Sequence, residues 1–204
     1  MTAPETWELR SARYLAREAQ EKVIRAGDTV VDATMGNGYD TVRLAELVGS
    51  EGHVFAFDVQ PLAVMHTMQR LEDAGVKERC SLLCCSHAEM ARYVPGPVRC
   101  VVFNLGWLPG GDKRITTRWP STWTAVRAAL RLLQPMGVCT ICAYPGHAAG
   151  DEERRNLVTV LSGLRPQDYN VLHQRFLNAG EDAPECFIIQ RQNSKTDRSP
   201  GIMR

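Results

Sequence analysis

The sequence contains no apolar run long enough to span a bilayer, and residues 1–10 have no apolar core of the kind found in secretory signals. It also has little excess charge: 24 Lys and Arg residues stand against 23 Asp and Glu residues, a formal net charge of +1. The overall charge therefore gives no argument for nucleic-acid binding, and any such contact has to be local. What remains, 204 residues of which 44% are hydrophobic, is the composition of a single globular domain.

The seven cysteines do not form the pattern of a metal site. Their number is odd, and most of them lie in apolar, strand-like runs. Cys139 and Cys142 have the CxxC spacing, but residues three apart on a strand point to opposite faces, which makes a poor chelate. We therefore expect no metal, and we expect buried thiols in a reducing compartment, the cytoplasm.

Short apolar runs alternate with helical patterns along the chain, which is typical of a parallel sheet with helices on both faces. The helix after the second strand is expected to begin at Pro61, and Ser121 is the expected N-cap of a later helix. The predicted strands of this part are residues 29–33, 53–59, 81–85, 100–104 and 138–144. The predicted helices are residues 7–24, 40–48, 62–74, 87–93, 121–133 and 151–164.

The end of the chain departs from this alternation. Residues 169–177 and 185–191 are both strand-like and no helix separates them, so we expect them to pair antiparallel. A seven-stranded, mostly parallel α/β sheet that ends in such a hairpin is the Rossmann-like layout of class I S-adenosylmethionine-dependent methyltransferases. A nicotinamide-dependent oxidoreductase would more often continue with another crossover helix. We predict one domain over residues 1–191 and a disordered polar tail over residues 192–204.

The first strand-to-helix turn is the expected cofactor site, because a wound sheet binds its adenosyl group there. Gly36 and Gly38 let the backbone approach a ligand closely. Asp32 could meet the ammonium of S-adenosylmethionine, whereas it would repel a pyrophosphate. A tight turn that needs two glycines for packing is the alternative. The further cofactor-binding candidates in this turn are Asn37, Asp40 and Thr41.

Polar residues at the ends of the next two strands extend this site. Asp58 ends the second strand at a suitable distance from the glycines for a carboxylate that accepts both ribose hydroxyl protons, and Gln60 follows within reach of the same nucleoside. Ser86 and His87 follow the third strand, where the adenine ring would lie. A helix cap is the alternative for Asp58, and a structural role is the alternative for His87.

The fourth strand ends in a pattern that can hold an amine. The side-chain oxygen of Asn104 can accept N–H bonds, while the ring of Trp107 lies against the group that carries the nitrogen. The nitrogen lone pair then stays free to attack an electrophile, as methylation requires. The alternative is a strand that ends in a Pro-Gly turn with a buried Trp. Asn104 is also a candidate for cofactor binding.

Seven short motifs carry a family resemblance: DATMGNGYDT (32–41), FDVQ (57–60), SH (86–87), FNLGWLPGGDK (103–113), ITT (115–117), ST (121–122) and GH (146–147). Together they resemble the tRNA 5-aminomethyl-2-thiouridine methyltransferases, a family also known as rRNA methylases. The resemblance extends over residues 19–190 and is most specific at residues 103–117. Trp107 stands where the family commonly has Tyr, and Tyr39 stands where it often has His.

The resemblance implies methyl transfer from S-adenosylmethionine to the aminomethyl nitrogen of the wobble uridine, with the tRNA anticodon stem-loop as the partner. A free alkylamine has a pKa of roughly 10, so the site has to favour the neutral form of the amine. Asp112 and His147 are the candidate bases. The other substrate-binding candidates are Leu105, Gly106, Gly110, Gly111, Thr116, Thr117, Tyr144 and Gly146.

Basic and aromatic residues follow the amine-holding segment, and they could contact phosphates and stack on a base of the anticodon loop. They are Lys113, Arg114, Arg118 and Trp119. An ordinary solvated loop is the alternative. The competing functions are a class I methyltransferase for another RNA position or a small amine, a nicotinamide-dependent oxidoreductase, and an RNA chaperone without catalysis. The sequence leaves open whether the chain is a monomer or a homodimer.

Overall fold

The computed structural model describes residues 11–193, which form seven strands and six α-helices. The strands are β1 Thr29–Asp32, β2 His53–Asp58, β3 Cys80–Cys84, β4 Val98–Asn104, β5 Leu133–Ala143, β6 Tyr169–Gln174 and β7 Glu185–Arg191. The helices are α1 Ala12–Val23, α2 Tyr39–Val48, α3 Pro61–Asp73, α4 Met90–Tyr93, α5 Trp119–Leu132 and α6 Ala148–Ser162. Residues 7–10 of the predicted first helix, and the predicted tail from residue 194 onward, lie outside the described residues.

The strands form one sheet in the order β3–β2–β1–β4–β5–β7–β6. The first five strands of this order run parallel, while β7 is antiparallel to both β5 and β6. The predicted fold class is therefore confirmed, including the antiparallel hairpin at the end. No helix within residues 11–193 has the length and apolar character that crossing a membrane requires.

The central strands are buried on both faces, as expected for parallel strands between two layers of helices. Val31 and Phe103 pack in one core with residues of α5 and α6. Val30 and Val102 point the opposite way, into a core formed with α2 and α3. The carboxyl ends of β1, β2, β3, β4 and β5 consequently meet at one edge of the sheet, where a ligand can bind between the loops.

The two cysteines with CxxC spacing point to opposite faces of β5, as their alternation predicts. Cys139 packs in the core with α5 and α6, whereas Cys142 packs against α1 together with Cys186. All seven cysteines are free thiols, and burial raises the pKa of the Cys100 thiol to about 12.

Several element boundaries differ from the sequence prediction, and the expected cap at Ser121 is wrong. Helix α5 begins two residues earlier, at Trp119, with Arg118 as its N-cap and Pro120 in its first turn. The hydroxyl of Ser121 donates to the carbonyl oxygen of Arg118 at 2.9 Å instead of capping the helix. Pro120 is tolerated there because the first helical N–H groups have no partner within the helix.

The boundaries of β5, α6 and β6 also differ from those predicted. Strand β5 follows α5 directly and starts at Leu133 rather than at residue 138. Helix α6 starts at Ala148 rather than at residue 151, because Nδ1 of His147 accepts the N–H of Gly150 at 3.2 Å and caps the helix early. Strand β6 ends at Gln174 rather than at residue 177.

Candidate active site

The loops at the carboxyl ends of the parallel strands enclose a cavity of about 540 Å³. This volume is in the range of small-ligand and cofactor sites. The sequence-predicted residues that line it are Gly36, Asn37, Asp40, Asp58, Gln60, Ser86, His87, Asn104, Leu105, Gly106, Trp107, Thr116, Thr117, Tyr144 and His147. The cavity therefore brings together residues that are more than 100 positions apart in the sequence.

The glycine turn between β1 and α2 forms the floor of the cavity. Gly36 and Gly38 adopt positive φ angles of 51° and 83°. A Cβ on Gly38 would lie 2.8 Å from Cα of Thr67, so α3 can pack against this turn only when residue 38 is glycine. The side chain of Asn37 reaches across and donates to the carbonyl oxygen of Pro109 at 3.0 Å.

Asp58 lies at the end of β2 and braces the glycine turn. Its Oδ2 accepts the N–H of Gly36 at 3.1 Å, and its Oδ1 accepts the N–H of Gln60 at 2.9 Å. Burial raises the pKa of the Asp58 carboxyl, and the backbone donors oppose that rise. A carboxylate oxygen has two lone pairs, so each oxygen keeps one acceptor site for a ligand hydroxyl.

Asp32 does not line the cavity, in contrast to the predicted direct contact with an ammonium. It is fully buried below the glycine turn, where it accepts the hydroxyl of Thr41 at 2.7 Å and the N–H of Thr34 at 3.2 Å. Burial, and secondarily the nearby charge of Asp40, raises the pKa of Asp32 to about 7. Gly38 and Thr41 also lie behind the cavity wall, so Asp40 is the acidic residue of this turn that faces the cavity.

His87 lines the cavity beyond the end of β3 as a neutral imidazole. Burial lowers the pKa of His87 to about 4. Its Nδ1 lies 3.2 Å from the carbonyl oxygen of Ala33, which can only accept, so Nδ1 carries the proton. Nε2 is therefore left as an acceptor, which suits the amino group of an adenine.

Asn104 at the end of β4 has its amide orientation fixed by Asp40. The Nδ2 of Asn104 donates to Oδ2 of Asp40 at 3.1 Å, and the Asn104 N–H donates to the hydroxyl of Thr34 at 2.7 Å. Arg17 holds the other Asp40 oxygen at 2.8 Å. Oδ1 of Asn104 is consequently the free acceptor of this side chain, as an amine-holding group requires.

The loop between β4 and α5 forms the roof of the cavity next to Asn104. Gly106 and Thr117 exchange hydrogen bonds: the Gly106 N–H donates to the Thr117 hydroxyl at 2.8 Å, and the Thr117 N–H donates to the Gly106 carbonyl at 2.9 Å. Trp107 and Thr116 form a β-bridge in the same segment. Both ends of the loop are thus joined to each other beside the cavity.

Glu153 on α6 anchors this loop, and the sequence analysis missed it. It is fully buried, its Oε2 accepts the hydroxyl of Thr117 at 2.7 Å, and its Oε1 accepts the hydroxyl of Thr122. Burial raises the pKa of Glu153, and the two hydroxyl donors oppose that rise. The available signal was its spacing: Glu153 shares the buried face of α6 with Leu157 and Leu161.

Trp107 and His147 form an aromatic corner of the cavity. Their ring centroids are 4.5 Å apart, and the ammonium of Lys113 lies 5.5 Å from the Trp107 ring centroid. Nδ1 of His147 accepts the Gly150 N–H, so in a neutral His147 the proton is on Nε2. Nε2 is buried without a hydrogen-bond partner among the described residues, and in this tautomer it can donate but cannot act as a base.

The other predicted base, Asp112, lies outside the cavity. It is exposed and binds Arg114 at 2.7 Å, and this hydrogen bond lowers the pKa of Asp112. Lys113, Arg114 and Arg118 are exposed beside the cavity, and Gly110, Gly111 and Gly146 belong to its loops without lining it. The Trp119 ring is not available to stack on an RNA base, because it stacks on Trp123 and packs against the core.

Arg13 and Tyr39 also line the cavity, although neither was among the predicted site residues. Arg13 of α1 lines the wall near Asp40 and Tyr144, and Tyr39 at the start of α2 is 56% exposed at the rim. The guanidinium of Arg70 lies 3.7 Å from the Tyr39 ring centroid. Nothing local in the sequence of α1 distinguished Arg13 from the other basic residues of this helix, Arg17 and Lys22.

Comparisons with known proteins match most of the chain to methyltransferases. A family model described as "Putative rRNA methylase" matches residues 54–190. The chain is 38% identical over 194 residues to the chloroplastic tRNA (mnm5s2U34)-methyltransferase of Arabidopsis thaliana, which covers 90% of this chain and 71% of that protein.

Solved structures of methyltransferases superpose on nearly the whole described fold. An rRNA methylase from Clostridium thermocellum superposes with a TM-score of 0.89 at 36% identity, covering 91% of this chain and all of that chain. A methyltransferase from Streptococcus mutans in complex with SAH superposes with a TM-score of 0.82 at 30% identity, covering 90% of this chain and 99% of that chain.

Proposed function

Because this chain belongs to the rRNA methylase family and is a class I S-adenosylmethionine-dependent methyltransferase, we propose that it methylates the aminomethyl nitrogen of the wobble uridine in tRNA. The product is the 5-methylaminomethyl group, on uridine or on 2-thiouridine. The Arabidopsis relative is named for this type of nucleoside at position 34. The anticodon stem-loop is the proposed partner, and the cytoplasm is the proposed compartment.

The observation that carries this proposal is the free acceptor on Asn104. Asp40 binds Nδ2 of Asn104, so Oδ1 is available to accept an N–H, beside the ring of Trp107. An amine held by its N–H groups keeps its lone pair for attack on an electrophile. A ring carbon offers no N–H or O–H to this acceptor, so the arrangement favours a nitrogen or oxygen nucleophile over a ring carbon, and the name of the Arabidopsis relative supports the amine.

The residues of the cavity are suited to the cofactor of the family. Asp58 offers one acceptor site on each oxygen for ribose hydroxyls, and His87 offers Nε2 to an adenine amino group. The bound cofactor supplies a methyl group on a positively charged sulfur, which is already a strong electrophile. The chain therefore has to orient the amine and exclude water rather than activate the methyl donor.

The neutral form of the amine is favoured by the apolar wall around it. Burial in low-dielectric surroundings disfavours a charged ammonium. Leu105 and Leu108 are buried in this wall, and Tyr144 and the Trp107–His147 corner complete it. We propose that the amine loses its proton to solvent on entry, because Asp112 lies outside the cavity and His147 holds its proton on Nε2.

The exposed basic residues beside the cavity are the proposed contacts to the anticodon stem-loop. Lys113, Arg114 and Arg118 lie on the roof loop and at its end. Charge-neutralising changes at all three to Gln should weaken tRNA binding and reduce its dependence on salt, with S-adenosylhomocysteine affinity unchanged. An unaltered salt dependence would show that the RNA docks on another surface.

The substrate is tested by mass spectrometry of nucleosides from reacted tRNA. Incubation with labelled S-adenosylmethionine and tRNA that carries the unmethylated aminomethyl group should convert that nucleoside to its methylaminomethyl form. Matched tRNA without the aminomethyl group should gain no label. A new methyl on a ribose oxygen or a ring carbon, with the aminomethyl group untouched, would contradict the assignment and leave the methyltransferase fold unaffected.

A further inference from the structure

Arg13 is a basic residue of the cavity wall, and no side chain among the described residues pairs with its positive charge. Among the described residues that line the cavity, it is the one Lys or Arg side chain. Within residues 11–193, no hydrogen bond or ion pair engages its guanidinium, whereas Arg17, one turn further along α1, binds Asp40 at 2.9 and 2.8 Å. A cavity-facing guanidinium without a protein partner is available to an anionic group of a ligand.

Arg13 lies at the end of the cavity opposite to Asp58. Helix α1 packs across β5 and β7 through Ala12 and Ala16, which places Arg13 near Tyr144 at the end of β5. Burial raises the pKa of Tyr144 to about 12, and the positive charge of Arg13 opposes this rise, as it does for the neighbouring Cys142. Asp40 and Asn104 border the same end of the cavity.

The cofactor has two ends with different chemistry. Its nucleoside end carries hydroxyls and an adenine, which match Asp58 and His87. Its other end is an amino acid with an ammonium and a carboxylate. If the nucleoside lies on β2 and β3, the amino-acid end extends across the glycine turn toward Asp40 and Arg13. A carboxylate and a guanidinium at this end are complementary to an ammonium and a carboxylate.

We propose that Arg13 binds the α-carboxylate of the methionine part of the cofactor, while Asp40 faces its ammonium. Asp40 is held for this purpose by Arg17 and Asn104, which fix both of its oxygens. Arg13 thereby determines that the cavity accepts an adenosyl amino acid in preference to adenosyl compounds without a carboxylate. The proposal depends on the cofactor and is independent of which nucleoside is methylated.

The test compares two ligands that differ in one carboxylate. Calorimetry measures binding of S-adenosylhomocysteine and of decarboxylated S-adenosylhomocysteine to the wild-type protein and to Arg13→Gln. The wild type should bind the decarboxylated ligand about 10-fold more weakly or worse, the scale of a hydrogen bond between charged groups. Arg13→Gln should weaken S-adenosylhomocysteine by about the same factor and leave the decarboxylated ligand within about 2-fold, so the two changes are not additive.

Two further variants control for charge and folding. Lys22→Gln removes one positive charge from an exposed position on the same helix and should change neither affinity. Arg13→Lys keeps the charge but loses the paired donors, so it should retain part of the discrimination between the two ligands. The wild-type comparison of the two ligands needs no variant, so it tests the carboxylate contact even if Arg13→Gln fails to fold.

Three results would overturn the proposal. The wild type could bind both ligands equally, or Arg13→Gln could weaken both ligands by the same factor. Arg13→Gln could also leave both affinities unchanged while tRNA affinity falls, which would assign Arg13 to the RNA. Each of these outcomes is distinguishable from a failure of the nucleoside assignment, because each is measured as binding of a ligand or of tRNA and none depends on which nucleoside is methylated.

Discussion

The two halves of the cavity are held in place in different ways. The half proposed to hold the nucleoside, the nucleoside half, comprises Asp58, Gln60, Ser86 and His87, which lie within about three residues of a strand end and bond to nearby backbone. The half proposed to hold the amine, the amine half, comprises Asn104, Trp107, Tyr144 and His147, and its roof loop is fixed by a side chain on a distant helix, Glu153. The strand ends of the sheet therefore determine where the residues of the nucleoside half lie, whereas contacts between loops and α6 determine where those of the amine half lie. We expect substitutions in the first to change cofactor affinity and substitutions in the second to change methyl transfer.

The largest expected effect is on methyl transfer in Asn104→Ala. The variant lacks the acceptor for the amine, so single-turnover methyl transfer should fall by about 100-fold or more, the scale of losing substrate alignment. S-adenosylhomocysteine affinity should stay within about 3-fold, because Arg17 still holds Asp40. Asn170→Ala, at an exposed position on β6, is the matched control. A rate near that of the wild type would remove Asn104 from the reaction.

Asp58→Ala should show the reverse pattern. Loss of the ribose acceptors should weaken S-adenosylhomocysteine by about 1–3 kcal/mol in calorimetry, since the lost hydrogen bonds involve a charged group. At saturating cofactor, methyl transfer should recover to within a few-fold of the wild type. If affinity is unchanged in a folded variant, the ribose does not bind at the end of β2.

These two residues were predicted from the sequence because each directly follows an apolar run. The end of a buried strand is a local signal, and parallel strands bring such ends together at one edge of the sheet. Glu153 and Arg13 carried no such signal, because their roles arise from contacts to segments 31 or more residues away or on another layer. The sequence also did not reveal that the Asp32 side chain points away from the cavity. The alternation of β1 predicts that Asp32 lies in the protein interior, but it does not predict on which side of the glycine turn the carboxylate lies.

Glu153→Ala tests whether the amine half depends on its anchor. The Thr117 and Thr122 hydroxyls would lose their acceptor, which should lower the free energy of unfolding by about 1–3 kcal/mol in urea titration. Methyl transfer should fall while S-adenosylhomocysteine affinity is kept, since the nucleoside half does not touch α6.

The neighbouring Glu152→Ala is the control, because Glu152 is exposed on the same helix. Glu153→Gln keeps one acceptor oxygen and should recover part of the activity. Equal loss of cofactor affinity and methyl transfer in Glu153→Ala would indicate a general loss of structure and contradict a separate anchor.

A separate effect, on stability alone, is the pH dependence of the free energy of unfolding that arises from Asp32 below the glycine turn. Burial raises the pKa of Asp32 to about 7 in the folded protein, above its ordinary value of 3.8. The folded state therefore holds a proton that the unfolded state has lost, and this contribution is complete below about pH 4 and is lost as pH rises through 7. The free energy of unfolding should fall by at most about 1.4 kcal/mol per pH unit in this window.

Asp32→Asn should remove the Asp32 contribution to this slope, because Asn does not titrate and can still bond to Thr34 and Thr41. The raised pKa values of Asp58 and Glu153 should leave a smaller slope of the same sign. Denaturant titrations of both proteins at several pH values between 4 and 8 give the difference directly. Parallel curves for the wild type and the variant would show that Asp32 titrates alike in the folded and unfolded states.

The division of one cavity into a nucleoside half and an amine half is tested most directly by a crystal structure with S-adenosylhomocysteine and the nucleoside 5-aminomethyl-2-thiouridine. The ribose of the cofactor should lie on Asp58, and the aminomethyl nitrogen should lie about 3 Å from Oδ1 of Asn104 with the Trp107 ring beside it. The nitrogen should also point toward the cofactor sulfur. A cofactor ribose away from Asp58, or an amine bound outside the corner formed by Asn104 and Trp107, would contradict the account.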